Sequence, residues 1–321
     1  MSGAVLVTGG AGYVGSHAVA ALVAAGRRVV VLDDLSAGHR EAVRGVPLVV
    51  ARVEDEALVR ATCAAHAVDA VLHFAGRISV AESVRDPAGY ERANVTATAA
   101  LAAAVHGAGV RRLVFSSSAA VYGTPERVPV PEDHPQRPTS PYGESKARAE
   151  AVLAASGLEV AALRYFNAAG AEPALGLGER HDPETHLIPL ALQAARAGTP
   201  LAVFGEDWPT PDGTCVRDYV HVVDLARAHV AALARLEAGR GGGAWNLGTG
   251  AGHTVRQVIA AAERATGRRV EVRAAPRRPG DPAVLVADPA RAARDLGWTA
   301  SARSALDAIV ADAWAFLGRA G

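Results

Sequence analysis

Near its start the chain reads Val5-Leu-Val-Thr-Gly-Gly-Ala-Gly-Tyr-Val-Gly15, an apolar run that passes straight into a glycine turn and then into a helical pattern. Gly9, Gly12 and Gly15 fall three apart, and Gly10, Gly12 and Gly15 also fit G-x-G-x-x-G. Glycines at this spacing permit a tight strand-to-helix turn, a close backbone approach to an anion, and close packing of the helix on the sheet. The free N–H groups and positive dipole end of that helix suit a pyrophosphate. The opening segment therefore reads as the first strand and helix of a parallel α/β unit.

The rest of the first half agrees. Short apolar runs at Val5–Val7, Val29–Leu32, Leu48–Val50, Ala70–Phe74, Leu113–Phe115 and Val160–Leu163 alternate with helical patterns such as Gly12–Ala25, Glu56–His66, Glu91–His106 and Tyr142–Ala155. Continuous apolar strands separated by helices predict a doubly wound parallel sheet covered on both faces, with ligands at the carboxyl ends of its strands. Past Asn167 the texture changes. Residues 168–185 and 205–216 read as loops rich in Gly, Pro, Asp and Glu, and helical patterns return at Ile188–Ala197, Val222–Glu237, Thr254–Thr266 and Ser301–Phe316. Loops of that length in a compact domain are usually functional or disordered. The expected division is a dinucleotide-binding part, 1–167 plus roughly 221–247, and a smaller C-terminal α/β part, 168–220 plus roughly 248–321, closing over the ligand edge.

Charge and composition exclude several classes. Lys+Arg and Asp+Glu are both 33, so the basic excess expected of a nucleic-acid-binding protein is missing. No apolar run reaches the length of a membrane span. The first residues, MSGAVLVTGG, have no basic stretch ahead of their apolar run, so no signal peptide is expected. Cys63 and Cys215 form neither a CxxC nor a disulfide framework. The expectation is a cytoplasmic protein. Lys146 is the only lysine among the 33 basic residues, so any lysine chemistry falls to it.

Three further features point to redox chemistry on an alcohol. Val29–Leu32 ends in Asp33-Asp34, and a carboxylate there accepts both ribose hydroxyls of an adenosine and repels a 2′-phosphate, which favours NAD over NADP. Tyr142 and Lys146 lie at i and i+4 at the start of a helical pattern, on one helix face. An ammonium beside a phenol favours the phenolate, which makes the pair a base for an alcohol proton. Arg111-Arg-Leu-Val-Phe-Ser-Ser-Ser118 is a strand ending in three hydroxyls, of which Ser118 is placed to hydrogen-bond the reacting oxygen.

With these residues in hand, the sequence resembles the extended short-chain dehydrogenase/reductase family, and within it the sugar-nucleotide 4-epimerases that interconvert UDP-glucose and UDP-galactose. The resemblance runs nearly end to end. It is carried by Thr8–His17, His73-Phe-Ala75, Ser116–Gly123, Ser140–Lys146, Leu163–Asn167, Asp212–His221, Trp245–Gly248 and Ala275–Asp281. It implies a Rossmann sheet, tightly bound NAD, and inversion at C4 of a UDP-hexose through a transient 4-keto sugar. Tyr142, Lys146 and Ser118 are the implied catalytic residues.

The resemblance also places binding residues. On the cofactor side these are Gly9, Gly12, Tyr13, Val14 and Gly15 at the turn, and Asp33, Asp34, Leu35, Ser36, Ala37 and Gly38 along the adenosine ribose. Phe74, Ala75, Gly76 and Ile78 follow the next strand, with Asn94 on the helix beyond it and Phe166 on the nicotinamide side. On the sugar-nucleotide side, Asn167, Arg217 and Arg278 match diphosphate positions, Asp281 a ribose-binding carboxylate, Ala202, Val203 and Phe204 the stretch beside uracil, and His186-Leu187 a further nucleotide contact. A homodimer through a helical pair is implied. The eleven histidines show no H-x-x-x-H spacing, and no metal is expected.

Three positions depart from the pattern. Arg52-Val53 replaces a Gly-Asp near the adenine; Ile78, with Arg77 beside it, stands where some relatives carry Lys; and Leu285 stands where some carry a bulky Tyr against the sugar. The smaller Leu leaves UDP-N-acetylhexosamines or UDP-pentoses as an alternative. Two rivals are weaker. A nucleotide-sugar dehydratase would need acidic residues beside the strand-end hydroxyl, and Ser116–Tyr122 has none; a non-catalytic NAD-binding protein would not need Ser118, Tyr142 and Lys146 intact.

Overall fold

The computed structural model describes residues 3–278 and 280–319. Pro279 of the Ala275–Asp281 motif, and the outermost residues of the two expected parts at 1–2 and 320–321, lie outside the described residues. Strands β1 (Ala4–Thr8), β2 (Val29–Asp33), β3 (Leu48–Val50), β4 (Val68–His73), β5 (Arg112–Ser118) and β6 (Glu159–Tyr165) follow the apolar runs. Five short strands come next: β7 (Asn167–Ala169), β8 (Leu201–Phe204), β9 (Val216–Arg217), β10 (Tyr219–His221) and β11 (Gly243–Leu247). The last are β12 (His253–Thr254), β13 (Val272–Ala275) and β14 (Val284–Leu285).

One seven-stranded sheet has the order β11-β6-β5-β4-β1-β2-β3. Every neighbouring pair in it is parallel. The chain winds outward from β1 to β3, then returns to lay β4 on the other side of β1. That reversal opens a crevice between the carboxyl ends of β1 and β4, where such sheets bind ligands. β1 and β2 are buried at every residue, as a sheet covered on both faces requires.

The helices are α1 (Tyr13–Ala24), α2 (Glu56–His66), α3 (Val80–Arg85), α4 (Pro87–Tyr90), α5 (Ala97–Gly107) and α6 (Pro141–Ala154), then α7 (Leu187–Ala197), α8 (Val222–Glu237), α9 (Val255–Thr266), α10 (Ala290–Leu296) and α11 (Leu306–Leu317). α1 and α8 cover one sheet face, packing Ala18, Leu22, Leu225 and Leu233 against Val5, Val31 and Trp245. α2, α5 and α6 cover the other with Val59, Leu101 and Leu153 on Leu6, Val71 and Phe115. A separate core joins α7, α9 and α11 through Leu192, Val258 and Ile309.

Local chemistry fixes the boundaries. Ser140 caps α6 by accepting from Gly143 N–H at 3.2 Å, with Pro141 in the first turn. Thr254 and Gln257 close a capping box on α9. Three features differ from the sequence expectation. The seventh strand, β11, did not read as an apolar run because Gly243 and Asn246 interrupt it. The helix expected at Glu91–His106 opens instead with a π-helical stretch at Glu91–Thr96. The last helix starts at Leu306, because Ser301 caps a short 3-10 turn over Ala302–Ser304 ahead of it.

Candidate active site

At the end of β1 the backbone turns through Gly9 with φ +69°. A Cβ on Gly9 would lie 2.4 Å from Ala75 N, and one on Gly15 would lie 2.2 Å from Gly9 O. Only glycine fits at both, so the turn, the loop after β4 and the start of α1 meet backbone to backbone. Gly12 is the α1 N-cap and supplies no side-chain cap, and the first turn carries no acidic residue. That leaves the helix end suited to an anion.

Asp33, at the end of β2, is 7% exposed. Its two oxygens accept one backbone N–H each, from Ala11 at 2.9 Å and Leu35 at 2.8 Å. Burial raises its pKa and those two bonds work against the rise. Each oxygen retains a lone pair for a ribose hydroxyl. A cradle that a Cβ would fill, beside a buried carboxylate with spare acceptor capacity, fits a dinucleotide. Asp34 accepts from Ser36 N–H at 3.0 Å and so shapes the turn through Ser36.

The loop after β4 joins this cradle to the tyrosine–lysine pair. A Cβ on Gly76, whose φ is +153°, would lie 2.8 Å from Asn94 Oδ1 and 3.9 Å from Lys146 Nζ. Asn94 is buried, accepts from Arg77 N–H at 2.8 Å, and donates both amide hydrogens, to Arg77 O and Ser145 Oγ. With its donors spent on protein, Asn94 holds this loop. His73 bridges Thr8 Oγ1 at 2.7 Å and Thr98 Oγ1 at 2.9 Å. Burial, helped by the charge of Lys146, pushes His73 down to about 3, so it is a neutral strut between the end of β1 and helix α5. The His-Phe-Ala motif marked this position, but not that role.

The Ser118 side chain, at the end of β5, interacts with the Tyr142 phenol on α6. Lys146, one turn further on, is 4% exposed. It donates to Ser116 O at 3.0 Å and lies 5.0 Å from the Phe115 ring centroid. Burial lowers its ammonium to about 8 against the opposing pull of Glu150. Burial also raises the Tyr142 phenol and dominates it among these side chains, and the group that works against it is Ser118.

Behind the pair lies a network that the sequence reading missed. Glu150 accepts from Ser117 at 2.5 Å and from Arg164 at 2.6 Å, and Arg164 also donates to the Tyr122 hydroxyl at 2.9 Å. The carboxylate behind the strand-end hydroxyls is therefore bound to a buried guanidinium.

The sugar-nucleotide positions gather on the short strands. Asn167 donates its backbone and side-chain N–H groups to Asp218 O, at 3.0 and 2.9 Å. Arg217 is held by Val216 O and Pro282 O and lies 3.6 Å from Asp281. Asp218, a natural ion-pair partner by sequence, is occupied elsewhere: it accepts from Thr249, Gly250 and Ala287 N–H groups. Arg278 lies 3.9 Å over the Phe204 ring, on the strand that also carries Ala202 and Val203. Leu285 pairs in register with Arg217 and packs beside buried Phe166. His186 is the N-cap of α7, ahead of Leu187.

Some expected positions stand apart. Arg52 is exposed and paired with Glu54 at 2.6 Å, and Val53 packs into the core, leaving only its main chain to meet an adenine. Ile78 is exposed. Arg77 does not stand in for the missing lysine; it pairs with Asp86 at 2.7 Å and faces Glu82 at 3.8 Å.

The structure also gathers Glu179, His181, Glu184 and His186, each presenting one ligand-type atom, all within 4.8 Å of one another. Burial opposes ionisation of Glu179, yet the two imidazoles beside it hold it down to about 2; burial likewise opposes the charge on His181, which the two carboxylates raise to about 9. The grouping has the spacing E-x-H-x-x-E-x-H, which an H-x-x-x-H search passes over.

Residues 5–248 match the model of the NAD dependent epimerase/dehydratase family. The chain is 50% identical to a UDP-glucose 4-epimerase of Azospirillum brasilense, over 96% of this chain and 90% of that protein. The UDP-glucose 4-epimerase of Brucella ovis, solved in complex with NAD, superposes with TM-score 0.95 at 48% identity, covering 99% of both chains. That of Stenotrophomonas maltophila, with bound NAD and formylated UDP-arabinopyranose, superposes with TM-score 0.94 at 43% identity, over 99% of this chain and all of the other.

Proposed function

This chain belongs to the NAD dependent epimerase/dehydratase family, among its UDP-glucose 4-epimerases, and from that membership we propose how its own residues invert C4 of a UDP-hexose. It is an NAD-dependent isomerase that interconverts UDP-galactose and UDP-glucose. The observation that carries the residue assignment is the buried Lys146, held by Ser116 O one turn on from Tyr142 with Ser118 beside the phenol, linked through Gly76 and Ala75 to the glycine turn.

The glycine turn and Asp33 would hold NAD, which would supply a reversible hydride acceptor for C4 and a positive charge beside the phenol. Tyr142 accepts the proton of the sugar 4-hydroxyl and later gives it back. Ser118 shares the reacting oxygen and tempers the buried phenol. Lys146, fixed by Ser116 O, supplies the ammonium that favours phenolate over phenol. After the first proton transfer the 4-keto sugar presents its other face while its diphosphate stays clamped by Arg217, Arg278 and Asn167, with uracil beside Ala202–Phe204 and the uridine ribose on Asp281. Two guanidiniums suit this because their forks match phosphate oxygens. His186 and Leu187 line the nucleotide end, and Phe166 and Leu285 the sugar end. In this reading residues 1–167 plus roughly 221–247 hold the cofactor, and 168–220 plus roughly 248–321 hold the sugar nucleotide and exclude water from the ketone.

Dehydration is disfavoured because the nearest carboxylate to the strand-end hydroxyls, Glu150, is committed to Arg164. Relatives named for glucose favour the hexose over the N-acetylhexosamine or pentose alternative. Homodimer assembly through a helical pair, and a cytoplasmic site, rest on the family resemblance; light scattering at working concentration tests the former and fractionation the latter. No described helix is long and apolar enough to cross a membrane. The direct test is to incubate the protein as purified, with no added cofactor, with UDP-galactose. UDP-glucose should form; an unchanged substrate pool in protein that carries NAD would refute the activity.

A further inference from the structure

Outside the tyrosine–lysine site, four side chains from one short segment converge where the chain leaves β7 for α7. His181 Nδ1 lies 3.0 Å from Glu179 Oε1, and His186 Nδ1 faces the same oxygen. Glu184 Oε1 lies 3.9 Å from the first imidazole nitrogen and 3.8 Å from the second. The side chains of Glu179 and Glu184 are only 5% and 6% exposed. Two carboxylates this close and this buried repel each other unless a cation lies between them. Protons on the imidazoles supply part of that charge, and His186 Nδ1 hydrogen-bonds Glu179, but His181 Nδ1, 3.0 Å from the same oxygen, is buried and makes no hydrogen bond. Two nitrogens aimed at one oxygen, with a second carboxylate oxygen almost equidistant from both, resemble a coordination shell more than a set of paired hydrogen bonds. Bonds of about 2.0–2.2 Å in a tetrahedron give ligand–ligand edges of roughly 3.3–3.6 Å; the Glu184 separations of 3.8 and 3.9 Å lie just above that range and the two Glu179 contacts below it, so an ion entering between them would open the Glu179 contacts and draw Glu184 in.

We propose that Glu179, His181, Glu184 and His186 form a closed, structural site for a borderline-soft divalent transition metal of the Zn2+ class. Two imidazoles disfavour Mg2+ and Ca2+, which take oxygen ligands. Four protein ligands leave no open position, so the ion braces and does not catalyse. What it braces is the seam between the two halves of the site. His181 packs edge-on against Tyr13 of the glycine turn at 6.3 Å, and the Tyr13 hydroxyl donates to Gly170 O at 2.7 Å. His186 begins α7 beside the expected nucleotide contact. A cleft lined by Gly12, Tyr13, Ser16, Arg180 and His181 gives an ion a way in.

The test uses the NAD-loaded protein, dialysed against a chelator and titrated with Zn2+ alone, with bound metal counted by native mass spectrometry and the geometry read from the visible spectrum after Co2+ substitution. One Zn2+ per chain and tetrahedral Co2+ bands are expected. His181→Gln and Glu184→Gln should each weaken Zn2+ binding by more than the roughly 10–100-fold that losing an outer-shell partner costs. Glu184→Gln keeps an oxygen for the Thr185 and His186 N–H groups that Glu184 now accepts, so it remains informative if His181→Gln fails to fold. Sub-stoichiometric wild-type binding, an octahedral Co2+ spectrum, or affinity unchanged in folded variants would overturn the proposal. The first of these would assign the cluster to imidazolium–carboxylate pairing.

Discussion

Replacing Glu150 with Gln separates the electrostatic support of Lys146 from its contacts. Glu150 and Arg164 form a buried pair at 2.6 Å, with side chains 11% and 8% exposed. Arg164 Nε also reaches both carboxylate oxygens, at 2.9 and 3.2 Å. Removing one partner of such a pair leaves a buried charge and costs about 3–5 kcal/mol. Arg164 keeps the Tyr122 hydroxyl and Glu132 O, which places the loss near the lower end, about 3 kcal/mol. At roughly 2–4 °C per kcal/mol, the melting temperature should fall by about 6–12 °C. A second effect is independent of stability. Burial holds the Lys146 ammonium down to about 8, and Glu150 is the charge that opposes burial. Without that anion the ammonium is lost at lower pH, so the alkaline limb of the epimerisation rate should move acidward. Calorimetry of the holoenzyme and a pH–rate profile with UDP-galactose read the two effects separately. An unmoved alkaline limb would refute the electrostatic link to Lys146, and a melting change below about 2 °C would refute the buried-pair reasoning.

Other outcomes follow from the same geometry. Gly9→Ala puts a Cβ 2.4 Å from Ala75 N at φ +69°; NAD recovered from the purified variant should drop by more than tenfold, and full retention would remove the turn from the cofactor site. Arg217→Ala should raise KM for UDP-galactose by roughly 10–100-fold, the equivalent of a charge-assisted bond of about 1.5–3 kcal/mol, with little change in NAD content; an unchanged KM would take Arg217 out of the diphosphate clamp. Burial lowers His17 and His229 to about 4 and His73 to about 3. Their folded pKa values lie below the unfolded value of 6.5, so the unfolded chain binds protons first and stability falls as pH drops from 6.5 toward 4. Melting temperatures flat across that window would contradict neutral burial of these rings.

The legible part of the molecule was the part written in local pattern. Apolar runs gave six of the seven sheet strands and the glycine spacing gave the cradle, because both obey short-range rules of burial and turn geometry. β11 escaped because Gly243 and Asn246 break its apolar run, and only pairing with β6 makes it a strand. Tyr142, Lys146 and Ser118 could be singled out because two lie on one helix face and the third ends a strand. What surrounds them was not legible: Glu150, Arg164 and Tyr122 are brought together by strand pairing, and no spacing announces it. The same holds for Asp218, whose four acceptor contacts come from segments 31 to 69 residues away. The burial around the tyrosine was illegible for a related reason, since sequence shows the lysine four residues on but not the packing that raises the phenol.

The most direct measurement is made on Tyr142→Phe, with NAD content and UDP-galactose turnover determined on the same preparation. The phenol is the group assigned to move the sugar proton, and general acid–base catalysis is worth roughly 10²–10⁴ in rate. The variant should keep NAD at the wild-type ratio and lose turnover by about that factor. Turnover within tenfold of wild type, with NAD still bound, would place the base elsewhere.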